Sequence, residues 1–276
     1  MTDTLCNELE IIRPLHPRGH FRFVLFDFDG TLSLIREGWQ GVMTGMMVGL
    51  LRDLPGSEAE AALTALIQDL IARTTGKETI YQMMDFQTVV EQRGGHPLEA
   101  KAYKQIYLDL LWERIAHRVA GLKDGSLDRE SLMVPGSETL LQGLRARGMT
   151  LFLASGTDEA FVKDECAALK LDGYFNGGIY GAQEDYRSFS KKMLIERILR
   201  EHQLQGAELL TFGDGFVEIE NTHEADGVAV GVASDEASCA GVDAWKRERL
   251  INAGADLIVP HFRHAATLLA YLFAEE

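Results

Sequence analysis

The run Val24-Leu25-Phe26-Asp27-Phe28-Asp29-Gly30-Thr31 constrains this chain more than any other stretch, because it drives two acids into the end of an apolar strand. Alternate side chains of a strand share a face, so Asp27 and Asp29 point the same way, and Gly30 permits a sharp turn just beyond them. A turn alone accounts for an isolated Asp-Gly pair. It does not account for Asp27, since a carboxylate inside an apolar run must be hydrogen-bonded, paired or bound to a cation. The two acids are therefore expected at the carboxyl edge of a sheet, where open α/β folds bind their ligands.

The chain has 276 residues, 46% hydrophobic and 25% charged, which suits one large core and a smaller second one. Its 27 basic and 42 acidic side chains give a formal charge of -15, a field that repels nucleic acid and anionic membranes, so neither is an expected partner. A phosphorylated substrate would have to be attracted locally, by a cation, lysines or helix N-termini. Cys6, Cys166 and Cys239 lie far apart without CxxC or His-Cys spacing, which argues against a zinc site or a disulfide framework. The first residues lack the basic and apolar regions of a secretory signal, and no run reaches the roughly 18 apolar residues that span a bilayer. A cytoplasmic monomer or homodimer is expected.

After a Pro-containing lead-in to His20, a strand at 22–28 is followed by the next strand-like run only at 149–154. Between them, 37–52, 57–74, 80–93 and 97–119 carry apolar residues at helical spacing, with Ser57 as an N-cap and Gly94-Gly95 as a break. Met43, Met46, Met47, Met83 and Met84 read as packing rather than as a ligand face. From Pro135 onward, helices at 137–147, 158–169, 191–202 and 243–252 alternate with strands at 149–154, 178–180, 208–212, 227–232 and 256–259. That alternation predicts an α/β fold with a doubly wound parallel-sheet (Rossmann-like) core. The expected division is a discontinuous core, residues 20–34 and 134–276, with an inserted α-helical cap domain at 35–133. A terminal helix is expected within 260–276. Gly177 to Gly181 lacks the spacing of a dinucleotide fingerprint, and Thr75 to Thr79 lacks that of a P-loop.

Three more polar clusters fall at predicted strand ends. Ser155-Gly156-Thr157 offers a hydroxyl and free backbone N–H groups to a phosphate oxygen, or simply caps the following helix. Ser190-Lys191-Lys192 opens a helix, and either lysine could meet a phosphate; Leu194, Ile195 and Ile198 stand at core-facing intervals from Lys191, which favours it. Gly213-Asp214-Gly215-Phe216-Val217-Glu218 brings two further acids. Asp27, Asp29, Asp214 and Glu218 in one crevice require a cation or a shared proton. An all-oxygen donor set selects a hard ion, with Mg²⁺ the best match.

In this order and context the four clusters resemble the motifs of the haloacid dehalogenase superfamily, in its phosphatase branch, over residues 20–260. The resemblance implies that Asp27 is a nucleophile forming an aspartyl-phosphate and that Asp29 is the general acid and base. It implies Mg²⁺ held by Asp27, the backbone carbonyl of Asp29, and Asp214. It also implies a phosphate cradle of Gly30, Thr31, Ser155, Gly156 and Lys191. Glu218 departs from the Asp many members carry there, and a water-mediated role toward the metal is expected of it. An acid at Asp29 favours phosphoryl transfer over carbon–halogen chemistry. The insertion resembles the α-helical cap of the superfamily's first structural subclass, hinged near 33–35 and 133–136. A small phosphorylated metabolite, a sugar or polyol phosphate, is the expected substrate, with Arg36, Glu37, Trp39 and Lys77 as candidate contacts. The expected activity is Mg²⁺-dependent phosphomonoester hydrolysis. A phosphomutase using the same nucleophile, or a non-catalytic phospholigand-binding module, are the alternatives.

Overall fold

The structure is a computed structural model that describes residues 3–6, 9–16 and 18–275. The chain divides into two compact units, one formed by Met1–Glu37 with Gly121–Glu276, the other by Gly38–Ala120. The inserted unit is thus shorter than the expected 35–133 segment. Residues 121–133, and with them Arg36 and Glu37, group with the sheet.

The larger unit is built on one eight-stranded sheet. Its strands are β1 (Asp3–Cys6), β2 (Leu9–Ile11), β3 (Phe23–Phe26), β4 (Thr150–Asp158), β5 (Gly178–Ala182), β6 (Leu209–Gly213), β7 (Val228–Val232) and β8 (Leu257–Val259). Their spatial order is β1-β2-β8-β7-β6-β3-β4-β5. From β8 to β5 every neighbour pair is parallel, which confirms the doubly wound core. The hairpin β1-β2 was not expected; it lies in the lead-in and joins antiparallel to β8 through Glu10 opposite Ile258 and Ile11 opposite Leu257. Strands this short, followed by Pro14 and Pro17, show no readable alternation.

Register sets the site. Phe26 pairs with Leu153 on one side and Phe212 on the other, so Asp27 falls level with Ala154 and Gly213, one residue before Ser155 and Asp214. Fully buried side chains on both faces explain why β3 reads as an uninterrupted apolar run. Phe23 and Leu25 join Phe152, Leu194, Ile195 and Ile198, where helix α7 (Lys191–His202) covers the sheet. On the opposite face Phe26 stacks on Phe212 with centroids 4.8 Å apart and meets Phe175 edge-on at 6.2 Å. The remaining helices of this unit are α5 (Ser137–Ala146), α6 (Glu159–Ala168), α8 (Phe216–Glu224), α9 (Ala244–Asn252) and α10 (Ala265–Phe273).

Beyond β3, Thr31, Leu32 and Ser33 all donate their backbone N–H to the Phe28 carbonyl, while the Gly30 N–H returns to Ser33. Gly30 makes this tight turn at φ +74°. The outgoing and returning chains then run side by side, with Leu34 N–H donating to Leu132 and Val134 N–H to Leu32.

The smaller unit contains α1 (Trp39–Leu51), α2 (Glu60–Thr74), α3 (Thr79–Gln92) and most of α4 (Ala100–Asp124). Tyr103, Tyr107, Leu111, Ile115 and Val119 recur every four residues as the buried stripe of α4. Met43, Met46, Met47 and Met83 are buried, as packing residues should be. Ser57 does not cap α2: the helix starts three residues later, and the Ser57 hydroxyl donates to the Leu51 carbonyl.

Candidate active site

Asp27 leaves the end of β3 with its backbone N–H donated to the Phe212 carbonyl, which fastens it to β6. Its Oδ1 accepts from the Phe28 N–H at 2.8 Å and its Oδ2 lies 2.8 Å from Lys191 Nζ. Lys191, the first residue of α7, is 4% exposed and also donates to Glu218 Oε2 at 2.8 Å. Glu218 in turn accepts from the Gly215 N–H at 2.7 Å, which ties it to the loop that carries Asp214. The apolar stripe below Lys191 is buried as expected, and the neighbouring Lys192 pairs with Glu224 on the surface. Lys191, not Lys192, reaches the acids.

Asp27, Asp214 and Glu218 bring one carboxylate oxygen each within 4.8 Å of one another. Burial, with Lys191 pulling the other way and Asp214 adding repulsion, pushes Asp27 above the usual carboxylate range. Burial likewise pushes Glu218 up to about 8 against the pull of Lys191. Burial alone would discharge Lys191, but Asp27 and Glu218 outweigh it and hold its ammonium charged. Three carboxylates crowded at this separation are the donor set a small hard cation satisfies, and the residues present fit Mg²⁺.

Asp29 sits apart from that cluster. Its Oδ2 accepts from the Thr157 hydroxyl at 2.9 Å, and its buried Oδ1 accepts no hydrogen bond among the described residues. Burial pushes Asp29 up to about 7, although Arg36 Nε, 3.8 Å from Oδ1, pulls it down. Arg36 is itself gripped by Glu165 of α6, with Nε 3.1 Å from Oε2 and Nη2 2.7 Å from Oε1. This buried pair is a finding that sequence reading missed: Arg36 was expected only as a substrate contact, and Glu165 lies in an otherwise ordinary helix. Glu37 is half-buried in the larger unit, whereas Trp39 and Lys77 belong to the smaller one, half-buried and exposed respectively.

Ser155-Gly156-Thr157 departs from expectation in its conformation. Instead of following the strand, the three residues lie within β4, where a register shift after Ala154 lets Asp158 pair with Ala182. They do not cap α6; Ser155 Oγ accepts from the Thr157 N–H at 3.0 Å and lies 3.4 Å from Asp29 Oδ2. Thr31 closes the opposite side, its hydroxyl accepting from the Asp214 N–H at 2.9 Å.

A second lysine also escaped the sequence reading. Lys246 of α9 places Nζ 2.8 Å from Asp214 Oδ2 and 2.7 Å from Glu236 Oε1. Burial acts to discharge it, and the two carboxylates overcome that and keep it an ammonium. With all four carboxylates (Asp27, Asp214, Glu218 and Glu236) ionised against the two ammoniums, the cluster carries a net charge of -2, which one divalent cation would balance. No motif marks Lys246 or Glu236; only the fold brings them to β6.

Residues 21–225 match the family model described as haloacid dehalogenase-like hydrolase. The chain is 27% identical over 199 residues to a 5'-nucleotidase of Pseudomonas aeruginosa, covering 69% of this chain and 73% of that protein. Among solved structures it is similar to a predicted phosphoglycolate phosphatase from Haemophilus somnus (TM-score 0.60, 15% identity, 91% of this chain and 98% of that one). It is also similar to a variant of CbbY from Rhodobacter sphaeroides in complex with xylulose 1,5-bisphosphate (TM-score 0.57, 17% identity, 91% and 99%). With a model match covering most of its length and the acids, the lysine and the sheet edge in place, this chain belongs to the haloacid dehalogenase-like hydrolases.

Proposed function

We propose that the chain is a Mg²⁺-dependent phosphatase of a small phosphorylated metabolite, a sugar or polyol phosphate, working through an aspartyl-phosphate on Asp27. The observation that carries this reading is the contrast between two neighbouring acids. Asp27 faces Lys191 at 2.8 Å within the carboxylate cluster, while Asp29 keeps one buried oxygen without a hydrogen bond.

In the first step an Asp27 oxygen attacks phosphorus and the bond to the leaving oxygen breaks, with Asp29 giving that oxygen its proton. In the second, Asp29 takes a proton from water as it attacks the aspartyl-phosphate, and Asp27 departs as a carboxylate. Lys191 lies against the attacking carboxylate and neutralises the phosphoryl charge beside it. Ser155, Gly156, Gly30 and Thr31 line the place of the phosphate oxygens. Asp27, Asp214 and the Asp29 carbonyl would hold the ion with Glu218 behind them, and when bound it would stabilise charge on the phosphoryl oxygens. Thr157 and Arg36 orient Asp29.

A second reading has its own support, since the curated relative is a 5'-nucleotidase: a nucleoside monophosphate as substrate. The test is phosphate release from phosphorylated sugars, polyols and nucleoside monophosphates, with Mg²⁺ and with EDTA. Metal-dependent release, abolished in a folded Asp27→Asn variant, is the expected result, and the preferred members of the panel separate the two substrate classes. No phosphate release from the folded protein, with isomerisation of a sugar phosphate once a bisphosphate is added, would indicate a phosphomutase. Near-normal turnover by Asp27→Asn would reject Asp27 as nucleophile.

A further inference from the structure

Lys246 makes three hydrogen bonds, the full capacity of an ammonium: to Asp214 Oδ2 at 2.8 Å, Glu236 Oε1 at 2.7 Å and Ser234 Oγ at 3.2 Å. The side chain is 6% exposed, and its helix is anchored beneath it, because Asp243 caps α9 by accepting from the Lys246 N–H at 2.9 Å. Ser234 passes the connection on, donating to the Gly30 carbonyl at 2.7 Å. Gly30 is what lets the group close. A Cβ at that position would overlap the Asp214 carboxylate and come 3.0 Å from Glu236 Oε1. Two carboxylates therefore rest against the bare Gly30 backbone and converge on one ammonium.

The consequence for Asp214 is an asymmetry between its two oxygens. Oδ2 is taken by Lys246, whereas among the described residues Oδ1 has only the long 3.4 Å contact to the Thr31 hydroxyl. A cation chelated by both oxygens would have to share Oδ2 with the ammonium. That would place two positive centres within about 5 Å of each other, with little solvent to screen them. A cation bound through Oδ1 alone leaves Oδ2 to the ammonium and lies farther from it. Magnesium, small and strict in its geometry, takes carboxylates one oxygen at a time and keeps water in the remaining positions, while calcium readily accepts chelating carboxylates and higher coordination.

We propose that Lys246 is a positioning residue that restricts Asp214 to one-oxygen coordination and so makes the site discriminate Mg²⁺ from Ca²⁺, with Glu236 and Ser234 holding the ammonium in place. This rests on the reading that Asp27, Asp214 and the Asp29 carbonyl hold a divalent ion, with Glu218 behind them. A lysine that only filled space in α9 would affect stability but not the choice of ion.

Calorimetric titration with Mg²⁺ and with Ca²⁺, in the absence of any substrate, measures the ratio of the two dissociation constants directly. In folded Lys246→Met the ratio is expected to move at least fivefold toward Ca²⁺; a smaller change overturns the inference. The wild-type titration separates the two levels of the argument. If the wild type binds neither ion, the metal reading falls and takes the inference with it. If it binds Mg²⁺ and the variant keeps its ratio, only the role of Lys246 falls. Should Lys246→Met not fold, a crystal structure of the wild type with Mn²⁺ decides. Asp214 is then expected to bind through Oδ1 with Nζ still on Oδ2, and chelation through both oxygens overturns the proposal.

Discussion

Asp27 and Asp29 are two residues apart, yet the fold gives them different surroundings. One faces an ammonium and two further acids; the other has a threonine hydroxyl on Oδ2 and a guanidinium 3.8 Å from Oδ1. Because burial pushes Asp29 up to about 7, the acid is protonated in free enzyme below that pH and loses its proton above it. The leaving oxygen requires that proton, so kcat/KM for a poor leaving group is expected to fall as pH rises through about 7. In Asp29→Asn this alkaline limb should disappear, together with about a hundred- to ten-thousand-fold of the rate. A pH–rate profile of both proteins checks it. At this scale much of the site could be read from the chain, because Asp27, Asp29, Lys191, Asp214 and Glu218 stand immediately after apolar strands or at a helix start, where residue type and position together carry meaning. Lys246 and Glu236 could not be found that way. A lysine in the first turn of a polar helix and a glutamate in a loop look solvated until the fold turns them inward.

The elements show the same division. The alternation after Pro135 located the parallel strands because each is an apolar run between helices, and the buried stripe of α7 marked Lys191 in advance. What escaped were places where polarity disguised extended backbone, as in Ser155-Gly156-Thr157 within β4, or where strands were too short to alternate, as in the β1-β2 hairpin. Helix α6 contributes more than cover. Its Glu165, 1% exposed, clamps Arg36 on the segment leaving the β3 turn, and thereby joins that segment to the element following β4. Breaking a buried pair strands a charge, so Arg36→Met is expected to cost about 3–5 kcal/mol of stability. The double variant Arg36→Met/Glu165→Leu should recover most of that loss, because neither charge then remains buried alone. Urea unfolding of the two single variants and the double variant measures the coupling. A sum of independent losses would show that the pair is not mutually dependent.

Across the whole molecule, the sheet collects side chains from both ends of the sequence, and an ion bound among them should be felt as global stability. At Mg²⁺ a hundredfold above its dissociation constant, linkage predicts about 2.7 kcal/mol of stabilisation for the sheet-bearing unit. Its thermal transition should rise by roughly 5–10 °C, and EDTA should reverse the rise. Asp214→Asn should abolish the shift; an equal shift in that variant would place the ion elsewhere. The position of β3 has a further consequence, for the chain as it is made. Both partners of this strand come later in the sequence, β4 after the whole helical unit and β6 about 180 residues on. At 5–20 residues per second, β3 spends roughly ten to forty seconds as an apolar segment with at least one edge bare, carrying Asp27 before Lys191 exists to neutralise it. The helices between, formed from contacts close in sequence, can assemble during that interval. Newly synthesised chains paused before β6 are therefore the population most in need of chaperone cover.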